Sequence, residues 1–536
     1  MKLTLPSYPT NEAPIHILVD DILAYIFLLN ATLPGFFDRK HASKTTVASS
    51  QVCRRWRSVA LECRRIWGYI IDYSRDPLKW IETMLDRSHP SSLDFGDRIY
   101  AVYLTNSRQD VLELVFNHFD RLRIFNLKVD VSSWELLCSR FLQLPAPNLE
   151  FACIIIDYHR RYRRYRTFTQ QLTHPLFDHH APSLQNLQLH RCMVDFTSPI
   201  LTSLTELYVD DIAEASAVPT VLDWLNILGG MPSLRWVTLI RAISSATTNV
   251  ISSYPIIHLP ALNMLSVEAT LHESVSLVEH LIAPPRCGLR LCCDSVHIGF
   301  DQQKLCAIIE KKMDSWAKNG PDRYLSAYYT TQHNDIVRVA VGNLPIEDVW
   351  DTEASSEHCI DLLDPVLTIV LRISNSQEAV PLFLSMFVLF ERTFFNTTHL
   401  NLFIDYELYD GPEVFLPLVD SFRGFINLES VHLGYDSLSK FLFYLLQHSL
   451  SNSVLLPRLQ SLSFRNATFR RHTTNSLLQV SDFLRWRGEQ GFPVQKIVIV
   501  ESWVSREYIQ TYIQDTVVEF DDCYYHSEGD DEDDNN

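Results

Sequence analysis

PSLQNLQLHRC, residues Pro182 to Cys192, places leucines at 184, 187 and 189 and a cysteine at 192. The Pro-Ser start is a turn signal, and the alternation Leu187-x-Leu189 has the period of a short strand with one buried face. Working outward, the same spacing returns along the chain. RLRIFNLKV carries it at Leu122, Phe125 and Leu127, SLTELYV at Leu204, Leu207 and Val209, and PSLRWVTL at Leu234, Val237 and Leu239. PALNMLSV follows at Leu262, Leu265 and Val267, then NLESVHL at Leu428, Val431 and Leu433, and PRLQSLSF at Leu459, Leu462 and Phe464. PVQKIVIV gives a last copy at Val494, Ile497 and Ile499.

The leading positions Leu184, Leu204, Leu234 and Leu262 stand 20 to 30 residues apart. This period resembles that of leucine-rich repeats, in which each unit contributes one strand and a helix or loop. Cys192 occupies the position that such repeats give to Asn or Cys, whereas other copies have Ile212, Ala242, Thr270, Asp436 or Ala467 there. Between Leu289 and Leu400 the pattern thins to GLRLCC and PVLTIVLRI. The expected fold class is α/β, a curved leucine-rich-repeat solenoid over residues 119–515. An ordinary α/β domain whose strands happen to read Leu-x-Leu is the alternative.

Composition sets the broad class. A chain of 536 residues with 46 % hydrophobic and 21 % charged residues is globular and long enough for more than one unit. The net charge is −18, but Glu519 to Asn536 alone holds nine acidic residues and no Lys or Arg. Residues 516–536 therefore read as a solvated, disordered acidic tail, and 1–13 as a flexible start. A mildly acidic body argues against broad nucleic-acid binding. No apolar run is long enough to span a bilayer, and Pro6, Pro9 and Pro14 interrupt the start, which does not read as a signal peptide. Eleven irregularly spaced cysteines suit a reducing compartment, so the expected location is cytoplasmic or nuclear.

The N-terminal region is helical. Leu18, Ile22, Ile26 and Leu29 recur at three- and four-residue steps, with Val19, Leu23 and Phe27 widening the stripe. A loop over Ala31 to Lys44 contains Pro34 and Gly35, and the next helix is expected from Thr45, with Val52, Trp56 and Val59 on one face. Arg54, Arg55 and Arg57 spread around its remainder as a solvated side. A helix capped by Asp76 with Pro77 in its first turn is expected to Ser88, inside a linker region 71–118.

Three pieces of this block carry a family resemblance: LVDDILAYIF at Leu18 to Phe27, VCRRW at Val52 to Trp56, and Ile66-Trp67. Together they resemble an F-box, here placed at residues 14–70 and expected to be three helices, covering about a tenth of the chain. Val19 stands where the family usually has Pro, which keeps an apolar contact and loses the preset φ at the helix entry. The resemblance implies binding of a Skp-type adaptor and, through it, a cullin. It places adaptor contacts on Leu18, Val19, Ile22, Leu23, Ile26, Val52, Cys53 and Trp56. Phe27, Trp56 and Trp67 are equally candidates for internal core.

Residues able to do bond chemistry are not assembled in any recognisable motif. Glycine is scarce, 15 of 536, and no dinucleotide fingerprint, P-loop, nucleophile elbow or zincin motif occurs. His174 to His180 groups three histidines and an aspartate without a completing ligand cluster, and no CxxC occurs. Arg160 to Arg166 interleaves five arginines with Tyr162 and Tyr165, the best local case for nucleic acid or an acidic peptide. Neither cofactor nor metal is expected.

The expectation is thus a non-catalytic substrate-recognition subunit of a Skp–cullin–F-box ubiquitin ligase, with no membrane partner. Its unknown protein substrate would meet the outward strand positions Asn186, Gln188, His190, Tyr208, Asp210, Thr238, Glu268, His432, Ser463 and Arg465. Two alternatives belong to other classes: an F-box scaffold acting outside a ligase, and an enzyme hidden in the irregular region 289–400.

Overall fold

The structure is a computed structural model. It describes residues 18–32, 39–104, 108–130, 142–157, 170–171, 175–212, 218–244, 254–296, 300–319, 325–332, 336–342, 365–373, 397–403, 419–420, 422–434, 442, 445–447, 454–465, 468–469, 474–500, 503–504, 506–513, 516–521 and 524–525. Helices and a largely parallel sheet make a mixed α/β architecture, with no closed barrel among the described residues. Two compact units divide the chain: Met1–Val218 with Gly230–Leu234, and Pro219–Gly229 with Arg235–Asn536.

In the first unit the helices α1 (Asp20–Thr32), α2 (Arg39–Ser49), α3 (Arg54–Glu62), α4 (Arg64–Tyr69) and α5 (Leu78–Ser88) precede the sheet. Among its described residues the block at 14–70 thus holds four helices, where three were expected. The second expected helix is broken at Ser50–Cys53, because the Cys53 sulfur accepts the Trp56 amide at 3.4 Å and starts a new helix there. Asp76 does not cap α5: Pro77 takes the cap position, and the Asp76 carboxylate accepts the Asp72 amide at 3.0 Å.

The sheet of this unit is parallel. Leu122–Asp130 pairs with Phe151–Asp157, which pairs with Asn186–His190, which pairs with Glu206–Asp210. Register sets Phe125, Ala152, Leu187 and Leu207 in one row and Leu127, Ile154, Leu189 and Val209 in the next. Every one of these side chains is buried. Removing each large one from water contributes roughly 1.5–3 kcal/mol, so the rows are the main source of cohesion.

A local device recurs ahead of the strands. The amide of Leu149 closes a turn onto the Ala146 carbonyl, as Leu184 does onto Ala181 and Leu204 onto Leu201. In the second unit Leu262 closes onto Leu259, Leu428 onto Phe425 and Leu459 onto Leu456. Both residues of each pair are buried. Arg191, Asp211 and Arg241, each directly after a strand, share left-handed φ values of 60, 58 and 47°. The same backbone geometry thus recurs at the same place relative to each strand, although the intervals of 20 and 30 residues differ.

The second unit runs parallel from Trp236–Ile240 through Met264–Thr270 and Gly288–Val296 to Pro365–Ile373. There the order changes. Ile336–Gly342 pairs antiparallel with both Pro365–Ile373 and Leu325–Gln332, and Leu325–Gln332 is parallel to Thr397–Phe403. The thinning of the pattern between Leu289 and Leu400 coincides with this change: an antiparallel hairpin enters the sheet there. GLRLCC and PVLTIVLRI are both sheet strands. Parallel pairing then continues through Ser430–Gly434, Ser461–Arg465 and Lys496–Val500 to Val517–Asp521.

That last strand corrects the start of the disordered tail. Val518 and Phe520 continue the rows of Ile497 and Ile499, and Lys496 lies 2.7 Å from Glu519. Alternating apolar residues outweigh the local acidity, and Tyr524–Tyr525 also forms a short strand. Residues 526–536 lie outside the described set, as do 1–17.

Candidate functional site

Two surfaces gather the sequence-derived candidates. The first is built by α1 and α3. Leu23 and Phe27 turn inward, 0 % and 3 % exposed, and the Phe27 ring meets Trp56 edge to face with centroids 5.2 Å apart. Trp67 is buried, its indole nitrogen donating to the Ala60 carbonyl at 2.9 Å, and the Arg87 guanidinium lies over its ring. On the other side of α1, Val19 is 62 % and Ile22 47 % exposed, with Tyr25 and Leu29 also exposed. Val52, in the break before α3, is 62 % exposed.

Of the eight proposed adaptor contacts, Val19, Ile22 and Val52 therefore stand in solvent, while Leu18, Ile26, Cys53 and Trp56 are half-buried. Leu23 belongs to the core and offers no surface; it lies one position past Ile22 on α1, which turns it toward Trp56's side of the helix. Val52 does not share a helical face with Trp56 and Val59, because it precedes the helix. Arg55 is more than a solvated residue: it pairs with the Asp20 carboxylate at 2.8 Å and also donates to the Leu18 carbonyl, joining α3 to the entry of α1. Spacing alone could not reveal that link across 35 positions.

The second surface is the outward side of the strands. In the first unit, register puts Asn186 beside Glu206, Gln188 beside Tyr208 and His190 beside Asp210. The His190 imidazole lies 3.2 Å from the Asp210 carboxylate and 4.8 Å, ring to ring, from Tyr208. Asn186 is buried, with its amide nitrogen donating to Glu206 and its oxygen without a partner. Burial raises the Glu206 carboxyl above its usual range, partly offset by the Arg98 guanidinium. Ile124, Phe151 and Cys153 form a buried apolar group on this face, and burial pushes the Cys153 thiol up to about 12, leaving it protonated and inert.

In the second unit Thr238 lies beside Ser266, and Glu268 is buried and paired with Arg241 at 3.1 Å. His432 neighbours Ser463 and Asn401, and its Nε2 is 3.0 Å from the Ser430 hydroxyl. Burial, aided by His399, pushes the His432 imidazole down to about 4, so it is neutral at physiological pH. The Arg465 side chain lies outside the described set.

One surface feature escaped the sequence reading. Between two strands of the first unit, the loop FGDRIY presents Ile99 at 79 % and Tyr100 at 52 % exposure. The signal was available as a Gly-Asp turn followed by two large apolar residues with no partner periodicity.

The metal candidate gains no support from the described residues. His179 bonds the Ser198 hydroxyl at 2.9 Å, and no metal-compatible group of three His, Cys, Asp or Glu occurs among the described residues. His174 and the arginine run at 160–166 lie outside that set. No helix among the described residues is long and apolar enough to cross a membrane. The fold and its two surfaces thus define a mixed α/β chain that displays an apolar helical face beside a parallel sheet. No family model and no curated protein matches the chain.

Proposed function

We propose that this chain is a receptor subunit of a Skp–cullin–F-box ubiquitin ligase, with the block at 14–70 serving as its F-box and the repeated strands as a leucine-rich-repeat-like array. The observation that carries the reading is the exposure of three apolar side chains, Val19 just before α1, Ile22 on it and Val52 just before α3, beside helices whose own core is filled by Leu23, Phe27 and Trp67. Ordered apolar surface of this kind is covered by a partner. The F-box resemblance names that partner as a Skp-type adaptor and, beyond it, a cullin. The chain itself would perform no bond chemistry; holding a protein substrate near the conjugating enzyme supplies the rate.

Pull-down with the adaptor tests this. Wild type should capture it, Ile22→Asp and Val52→Asp should not, and equal capture by all three would overturn the reading. Recovery of a cullin with the adaptor supports the ligase role. Recovery of the adaptor alone favours a scaffold.

A further inference from the structure

We propose that Ser58 is a phosphorylation site for an arginine-directed protein kinase, and that its phosphate draws Arg55 away from Asp20 and loosens the entry of α1. The consequence for adaptor docking rests on the receptor reading above.

Recognition is the first ground. Ser58 follows Arg54, Arg55 and Arg57, so cations stand four, three and one residues before it. Kinases choose among serines by charge patterns of this kind, because acidic groups beside their active site meet cations at fixed offsets from the hydroxyl.

Access is the second ground. Ser58 is exposed, and its hydroxyl donates to the Glu62 carboxylate at 3.0 Å rather than into the core. A kinase takes its substrate extended, so α3 must open locally. That helix is nine residues long, and its start is capped by the Cys53 sulfur at 3.4 Å from the Trp56 amide. A helix this short is marginal by itself, and such segments open without global unfolding.

The position of Arg55 is the third ground. Side chains of a helix lean toward its start, so a group on Ser58 lies over Arg54 and Arg55, four and three positions back. The kinase transfers the γ-phosphoryl group of ATP to the Ser58 oxygen; the hydroxyl proton is released and ADP leaves. The product carries a charge of about −1.5 to −2 and three acceptor oxygens. It repels the Glu62 carboxylate, the former partner of the hydroxyl. It also competes for Arg55 against the single, largely exposed carboxylate of Asp20. Arg55 donates to the Leu18 carbonyl as well, so its departure frees the chain just before α1. The bond from the Leu23 amide to the Val19 carbonyl, 3.1 Å long, closes the first turn there. Val19 belongs to the face assigned to the adaptor, and loosening it weakens docking.

The test treats the purified full chain with an arginine-directed serine kinase and magnesium ATP. Fragment mass spectrometry should place phosphate on Ser58. Hydrogen exchange at the Leu23 amide should then be several-fold faster than in equally treated Ser58→Ala, an exposed change to a good helix former. Asp20→Asn should exchange faster before treatment and gain little from it. No phosphate on Ser58, or phosphate there with unchanged exchange, would overturn the inference. Adaptor affinity of the phosphorylated chain should fall at least threefold against treated Ser58→Ala, and equal affinity would overturn the control of docking. Phosphate and exchange are read on the chain alone. Their failure with adaptor capture intact overturns only this inference, and failure of capture with both intact overturns only the ligase reading.

Discussion

The Asp20 carboxylate and the Arg55 guanidinium meet at 2.8 Å, fastening the start of one N-terminal helix to the first turn of another. Arg55 also donates to the Leu18 carbonyl, so one side chain fixes the approach of the chain into α1, next to exposed Val19. The pair is largely solvent-exposed, and such pairs contribute about 0–1 kcal/mol. Arg55→Gln should therefore lower adaptor affinity only a few-fold, with melting temperature nearly unchanged, and a double-mutant cycle with Asp20→Asn should give a coupling below about 1 kcal/mol.

Val19, just before α1, and Leu23 on it should separate binding from stability. Val19→Asp lies in solvent and should abolish adaptor capture with no change in the unfolding midpoint. Leu23→Ala removes a fully buried side chain and should destabilise by about 2–5 kcal/mol. If Val19→Asp melts early, the exposed face is structural and the docking argument loses its ground.

Among the described residues Arg487 is a buried cation held by backbone carbonyls. It is 1 % exposed, and its guanidinium donates to the carbonyls of Leu455 at 3.0 Å, Leu456 at 3.0 Å and Phe492 at 2.9 Å. Burial pushes its pKa down to about 10, so it remains charged at neutral pH. Arg487→Met keeps volume but strands those carbonyls, each worth about 1–3 kcal/mol when unsatisfied. Denaturant unfolding should show a loss of at least about 2 kcal/mol; a neutral result would mean that water replaces the guanidinium.

His432 should confer a pH dependence of defined sign. Its folded pKa of about 4 lies below the ordinary 6.5, so between these values the unfolded chain binds a proton that the folded chain refuses. Stability is then full above pH 6.5 and falls as pH drops toward 4, by on the order of 1–3 kcal/mol at about 1.4 kcal/mol per pH unit. His432→Gln should flatten that part of the stability profile while acid unfolding from carboxylates persists.

Gly96 tests the loop. Gly96→Ala imposes a left-handed residue with a Cβ against the Asn126 backbone, an expected penalty of about 1–3 kcal/mol. Denaturant unfolding reads this penalty, and an unchanged midpoint would mean that the loop shifts to admit the Cβ.

Much of the sheet was legible in the chain because a strand with one buried face must alternate, and the apolar pairs Leu187 and Leu189, Val237 and Leu239, and Val431 and Leu433 do so. The strand at Phe151–Asp157 was missed because Ala152 fills the row where its neighbours have Phe125 and Leu187, and its outward side is apolar too. The same apolar run conceals which face is inside.

By itself the sequence determined the mixed α/β class and the recurring turn-and-strand unit, since the strands depend on a period of two. Only the tertiary structure decided the rest. It showed that Leu23 is core while Ile22 is surface, that Cys53 breaks a helix, that a hairpin at 325–342 enters the second unit's sheet, and that acidic Val517–Asp521 closes it. Those outcomes depend on which partners meet across tens of residues, and local spacing carries no information about such meetings.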